Sequence, residues 1–446
     1  MSAWIIQSLL RLRASYYFIP ALMGMAAVGL GVLTTLIDLR YQAEIRDILG
    51  WFFASTVTSA RSVLTTIAGS MISVAAVTFS LTMVAVTTAS GQYGPRLIGN
   101  FMRDRANQVT LGMFLATFLY CMVVLKSVSE EIVIDSQSTV GLSPSLSVLV
   151  ALILTVISVA VLIFFVHHIP ETLNVGTITG KVSKGLIGQI ELGRFPGGQD
   201  LETTNCEPLG NPFDPDLTQT VRSPASGYIQ AISLKGMMEW AEEEGYRLRL
   251  LKVPGDFVME SDGLVEVMAD DSQAAFDTEA FRDEISPEIW SFIATGRERT
   301  VHQNLLFLAD ELVEIASRAL SPGVNDPFTA VNCIHWFGHI GLAMINAPAA
   351  QDCVLDSSGT PRIWARSVGF ESLCATLFGQ SRQYICQDEN AARETLEVLY
   401  HMKRRATEAT EPVLDKHIEQ LKTAIRESGL GQAQKARLRG GPPFGY

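Results

Sequence analysis

Hydrophobic and polar positions divide the chain near residue 170. Before that point charges are sparse and long uncharged runs recur. After it charges are frequent, and apolar residues fall at helical or strand spacing. The longest run, Ser62 to Pro95, holds 34 residues without a formal charge between Arg61 and Arg96. A helix needs ~20 residues to cross ~30 Å of hydrocarbon, so this run spans with length to spare. Three more runs qualify, and together they predict membrane helices at about 14–37, 62–90, 107–125 and 145–166. The first is too long for a signal peptide and has no A-x-A end, so it reads as a retained span.

The second run has an unusual make-up. Ser70, Ser73, Thr78, Ser80, Thr82 and Thr87 lie among Ala, Val and Ile, with Gly69 and Ala75 adding small surface. Two arrangements fit: a close-packed helix inside the bundle, or a helix with one face on a hydrated pathway. Those six hydroxyl residues are the pathway-lining candidates. The run ends in Gly91-Gln-Tyr-Gly-Pro-Arg96, which stops a helix. Arg96, Arg103 and Arg105 follow, either anchoring the connector at lipid headgroups or lining a cytoplasmic mouth that attracts anions.

Residues 171–220 carry aperiodic Gly-Pro pieces and read as a linker or crossing segment. Residues 221–268 alternate at strand length around Pro254-Gly-Asp256 and Asp262-Gly263, with a short helical insertion at Leu234 to Glu244. Their order is similar to the small β barrel-sandwich of lipoyl and biotinyl carrier domains, but without the hairpin-tip lysine that a swinging cofactor arm requires. Residues 278–430 read as helical, with segments near 300–320, 327–345, 363–379 and 390–427. Residues 431–446 read as a disordered tail. The expected fold class is an α-helical membrane domain of four transmembrane helices (1–170), then an α+β cytoplasmic domain. That domain comprises the small barrel-sandwich-like part and the helical C-terminal part.

Composition narrows the function classes. The chain is 48% hydrophobic and 18% charged, and its net charge of −12 argues against nucleic-acid partners. Of its six cysteines, five stand after residue 170 with neither C-x-x-C pairs nor zinc spacing, and read as free thiols of a reducing compartment. His335 and His339 are four apart on a predicted helix and present one weak metal-binding pair, whose third ligand would have to come from elsewhere, His302 or Glu311 being candidates. Ser321, Asn325 and Asp326 lie in a Pro-Gly corner that reads as a ligand-binding turn or as a rigid helix–turn–helix. Asp326 is placed to cap the following helix, with Pro327 at its first position. No phosphate loop, dinucleotide fingerprint or serine elbow is present, so no enzyme and no cofactor is expected.

Several strings together resemble the bacterial predicted-membrane-protein family DUF2254, a domain of unknown function. They are Phe79-Ser-Leu-Thr-Met-Val-Ala-Val86, Gln92-Tyr-Gly-Pro-Arg-Leu97, Asp104-Arg-Ala-Asn-Gln-Val-Thr-Leu-Gly-Met-Phe114 and Ala319-Leu-Ser-Pro-Gly-Val-Asn-Asp-Pro327. The likeness covers nearly the whole chain. It implies a bacterial inner-membrane protein with a cytoplasmic domain, and it implies no activity.

Four spans leave little room for the inverted repeats of a transporter. The expected function is a homo-oligomeric ion channel or channel-like protein with membrane lipids as neighbours. The alternative is a membrane-tethered sensor or scaffold. Orientation follows the Lys/Arg count in short loops, which is eight (Arg11, Arg13, Arg96, Arg103, Arg105, Lys181, Lys184, Arg194) against four (Arg40, Arg46, Arg61, Lys126). Both termini are expected in the cytoplasm. Reporter fusions after Leu97 and after Pro170 should read cytoplasmic and one near Ser136 periplasmic; a periplasmic signal after Pro170 overturns the orientation.

Overall fold

The computed structural model describes residues 17–41, 44, 57–94, 104–128, 132–135, 138–140, 145–193, 203–204, 213–215, 217–269, 279, 281–301, 303–348 and 351–439. Helices stand where the uncharged runs predict them: α1 (Phe18–Arg40), α2 (Val57–Tyr93), α3 (Arg105–Ser127) and α4 (Ser145–Thr172). All lie in a unit from Arg11 to Asn174. Each runs a few residues beyond its expected limits at one end or both, because helix formation does not stop where the apolar run does. A hairpin, β1 (Ile132–Asp135) and β2 (Ser138–Val140), precedes α4.

α3 is the centre of this unit and touches α1, α2 and α4. Small residues let it do so. On α1 the buried positions Pro20, Gly24, Ala27, Gly31, Thr34 and Asp38 succeed one another at alternating four- and three-residue steps. A Cβ at Gly24 would lie 3.0 Å from Leu119 Cδ1, and one at Gly31 would lie 3.1 Å from Val123 Cγ1. Gly112 on α3 answers them, since a Cβ there would come within 3.2 Å of the Pro20 backbone. In hydrocarbon, where lipid competes equally for apolar surface, such close approach is what holds helices together.

Asp38, one residue beyond the expected end of the first span, is buried in the last turn of α1 and only 1% exposed. Its carboxylate accepts the backbone N–H groups of Leu146 (3.0 Å) and Ser147 (2.9 Å) and the Ser147 hydroxyl (2.6 Å). It therefore caps the N-terminus of α4 from another helix. The Tyr120 hydroxyl donates to Ser147 O (3.0 Å) and stands 2.9 Å from Thr34 Oγ1, so α1, α3 and α4 meet in one polar network. Further along, Thr117 and Ser158 pair at 3.0 Å.

The unit from Val175 onward differs from expectation in four places. The supposed linker contains an amphipathic helix, α5 (Val175–Leu192). The β part is not confined to 221–268. β3 (Thr203–Thr204), β4 (Thr218–Arg222), β6 (Tyr246–Leu250), β8 (Gly263–Ala269), β10 (Cys353–Leu355) and β11 (Pro361–Ala365) form a six-stranded sheet in the order β3-β10-β11-β6-β8-β4. β5 (Gly227–Ile232), β7 (Phe257–Val258) and β9 (Ile293–Gly296) form a second sheet in the order β7-β5-β9. Both share one core, in which Val221, Leu248, Val265 and Ile363 meet Ile229, Ile232, Val258 and Ile293. α6 (Leu234–Glu244) lies where the helical insertion is expected and supplies Met237 and Met238 to that core. The barrel-sandwich expectation thus gives way to two sheets that recruit β9, β10 and β11 from the stretch read as helical. These strands are three to five residues long, too short for periodicity to separate them from helix.

The remaining helices are α7 (Ser286–Ser291), α8 (Leu305–Ala319), α9 (Pro327–Asn346), α10 (Phe370–Cys374) continued by a wide turn to Gly379, α11 (Arg382–Ile385), α12 (Glu389–Lys403), α13 (Glu411–Glu427) and α14 (Gln432–Arg439). α14 falls in the segment read as a disordered tail, and the single helix expected at 390–427 is two. Among the described residues five helices, not four, are long and apolar enough to cross a membrane, the fifth being α9. α9 packs against α5, α8 and α12, with Gly180 against Trp336 and Gly338 against Val398, so its apolarity serves a helical bundle within this unit.

Cysteine chemistry also departs from expectation. Cys121, Cys333, Cys374 and Cys386 are free and buried, but Cys353 is disulfide-bonded. Cys206 lies outside the described residues. β3 pairs with β10 so that Thr204 faces Cys353, an approach that no local spacing announces. The reduced-thiol support for a cytoplasmic location is thereby lost, and the Lys/Arg count remains.

Asp38→Ala should leave the first N–H groups of α4 unmet inside the unit, at about 3 kcal/mol, and lower the melting temperature of the purified protein. Asp38→Asn, which keeps one acceptor, should restore part of the loss. Unchanged melting of Asp38→Ala would show that the cap contributes nothing.

Candidate functional site

α2 presents two opposite faces. Ala60, Leu64, Ile67, Ala68, Met71, Ala75, Thr78, Thr82, Val86 and Ala89 are buried, on the side that meets α3 and α4. On the other side Ser62, Thr66, Gly69, Ser73, Ala76, Val77, Ser80, Val84, Thr87 and Gly91 are exposed. Positions 62, 69 and 76 and positions 66, 73, 80 and 87 each repeat every seven residues, the spacing of a seam along which helices supercoil. A Cβ at Gly69 would meet open space. The six pathway candidates therefore do not share a face. Ser70, Ser73, Ser80 and Thr87 are exposed, whereas Thr78 (2% exposed) and Thr82 (4%) are turned inward.

Five of the six candidate hydroxyls on α2 are held by their own helix. Ser70 donates to Thr66 O, Ser73 to Gly69 O, Thr78 to Val74 O, Thr82 to Thr78 O and Thr87 to Met83 O, at 2.7–2.9 Å. The donors are satisfied locally, which makes the helix compatible with lipid, while each oxygen keeps acceptor capacity. Of the mouth candidates, Arg105 is the exposed first residue of α3; Arg96 and Arg103 lie outside the described residues.

The Pro-Gly corner is built from its own backbone. Ser321 Oγ donates to Arg318 O (2.6 Å), Asn325 takes a left-handed conformation (φ 51°), and Asp326 N donates to Ala319 O (2.8 Å). Asp326 caps α9, accepting Thr329 N at 3.2 Å and the Thr329 hydroxyl at 2.6 Å. The side chains of Ser321 and Asp326 are thus engaged inside the corner. Phe328, at the start of α9, is 81% exposed.

His335 and His339 both lie on the exposed side of α9. His335 Nε2 stands 3.3 Å from Glu394 Oε2 on α12, and His339 packs edge-on against Trp336. Glu311 is buried in α8 and His302 is outside the described residues. No group of three His, Cys, Asp or Glu suited to a metal occurs among the described residues.

Besides the buried thiols of Cys333 and Cys374, which burial pushes up, two ionisable groups in this unit are strongly shifted, both within structural contacts. Burial pushes the Asp356 carboxyl upward. Hydrogen bonds from Ser358, Thr360 and Arg362 outweigh that and hold it at about 2, clamping the turn between β10 and β11. Burial lowers His417 to about 4, helped by Arg382 and Lys416, so it stays neutral between α13 and α11.

Sequence reasoning missed the polar interior of the membrane unit. Asp38, Asn107, Gln108, Thr110, Thr117, Tyr120, Ser147 and Ser158 are all buried there. A polar residue inside an uncharged run was the available signal, but only the fold shows which of them face one another.

A family model described as "Predicted membrane protein (DUF2254)" matches residues 13–401. Among curated proteins, uncharacterized proteins of Mycobacterium tuberculosis (strain H37Rv) and of Mycobacterium bovis are each 27% identical over 376 residues, 84% of this chain and 68% of theirs. No solved structure matches.

Asp326→Ala should cost about 1 kcal/mol through the lost cap and lower the melting temperature of the full-length protein. Unchanged stability with loss of ion flux would instead assign the corner to function.

Proposed function

Because the chain belongs to the DUF2254 family of predicted membrane proteins, we propose that it acts as a homo-oligomeric, channel-like protein of the bacterial inner membrane, with both termini cytoplasmic. Copies meet along the outward face of α2, and a hydrated path runs beside that seam.

One observation carries this reading: the outward face of α2 is small and hydroxyl-bearing in a seven-residue register, opposite the face that packs within the unit. A surface meant for acyl chains has no use for Ser, Thr and Gly. Large apolar side chains flank it instead, as Ile72, Phe79 and Leu81 do, while Val77 and Val84, each 60% exposed, share the outward face with the hydroxyl residues. Small residues in register allow another helix to approach closely, as the glycines of α1 do against α3. Hydroxyl oxygens whose protons are already donated still accept hydrogen bonds from water. The buried Thr78 and Thr82 take no part in this path and belong to the packing of the protomer.

Single cysteines from Ser70 to Thr88, in a Cys121→Ala background, test the proposal with a small charged thiol reagent. Reactivity should peak at Ser73, Ser80 and Thr87 and vanish at Thr78 and Thr82. Ser73→Leu and Ser80→Leu should reduce ion flux in proteoliposomes by about tenfold or more, since each narrows the seam and removes an oxygen. Protection along the whole helix would contradict the pathway and favour a tethered sensor or scaffold.

A further inference from the structure

A second polar feature lies inside the protomer, away from the outward face of α2. Asp104, Asn107, Thr110, Phe114, Thr117 and Cys121 succeed one another at three- and four-residue steps and so share one face of α3. The first three are polar and withdrawn from the surface. The Asp104 side chain is 13% exposed, Asn107 is 4% exposed and Thr110 is 1% exposed. The fourth, Phe114, is a fully buried ring. Polarity therefore enters from the N-terminal end of α3, continues for two turns and stops at an aromatic plug.

The groups at this end are arranged around Asp104. Its Oδ1 accepts Ala106 N at 2.8 Å, capping α3, and its Oδ2 stands 3.3 Å from His168 Nε2 on α4. His168 stacks on Phe164 with centroids 5.2 Å apart. One turn deeper, Asn107 Oδ1 is buried with no hydrogen-bond partner among the described residues. Leaving a buried carbonyl oxygen unmet costs about 1–3 kcal/mol. An apolar side chain would occupy the same helical position without that cost. A polar, roomy site resolves the deficit by holding water, whereas an apolar cavity stays dry.

We propose that the membrane unit is entered at its Asp104 end by a narrow hydrated inlet. The inlet passes the Asp104–His168 pair, reaches Asn107 and Thr110, and ends at Phe114. Its unmet group is Asn107 Oδ1, an acceptor, which takes a hydrogen bond from water or the charge of a small cation and offers nothing to an anion. The barrier between this inlet and the Asp38 network is then the Phe114 layer and the Thr117–Ser158 pair beyond it. The inlet is independent of the seam on α2, because it lies on α3 within a single copy.

The test uses the full-length protein in lipid nanodiscs with Cys121→Ala. Thr110→Cys should react with a methanethiosulfonate reagent carrying an ammonium group about tenfold faster than with its sulfonate analogue, since either must pass the Asp104 carboxylate. Asp104→Asn should erase that preference. Hydroxyl-radical footprinting of the unaltered protein supplies a readout that no variant can spoil. Phe114 and Met113 should be oxidised well above Met71, which is buried on α2. Silent footprints at Phe114 and Met113 together with an unreactive Thr110→Cys overturn the inlet and leave Asn107 a dry structural amide. Labelling on α2 is read separately, so the seam and the inlet stand or fall apart from each other.

Discussion

The membrane unit depends on one carboxylate. Asp38 lies at the C-terminal end of α1, where a negative charge is disfavoured by its own helix dipole. It is kept there because it serves the opposite pole of another helix, receiving the first N–H groups of α4 and the Ser147 hydroxyl. Those N–H groups have no intrahelical acceptor, and hydrocarbon offers none. Asp38 therefore joins two helix ends, and Tyr120 and Thr34 extend the junction to α3. With α1 and α4 fixed at one end, the glycine contacts between α1 and α3 set the spacing of the bundle.

That arrangement explains which parts of the molecule were legible in the sequence. Four helices could be placed because an uncharged run of spanning length is a property of the local chain, and capping of α9 by Asp326 is equally local. The role of Asp38 could not be read, since its partners stand more than a hundred residues away. The same holds for the sheet. β10 and β11 are short strands whose pairing with β3 and β6 crosses much of the chain, so the stretch around them looked helical or featureless. The bonded state of Cys353 was equally out of reach, since no spacing rule anticipates it.

The hydroxyl residues of α2 were visible at once, but composition alone could not divide them. Thr78 and Thr82 look no different from Ser73 and Ser80 in the sequence, yet they lie on opposite faces of one helix. The division turns a vague polarity into a defined seam, and it removes two of the six candidates from any pathway. It also gives α2 two jobs: large and small apolar residues bind it to α3, and the small outward stripe is left for a like surface.

A seam of that kind has meaning only if another helix fills it, so the stoichiometry of the protein in a bilayer is the decisive quantity. Native mass spectrometry of the full chain released from lipid nanodiscs measures it directly. The account predicts an integral multiple of 48.7 kDa that dissociates when Gly69 and Ser73 are replaced by Leu. A single 48.7 kDa species from the unaltered protein, stable on dilution and in fresh lipid, would contradict it.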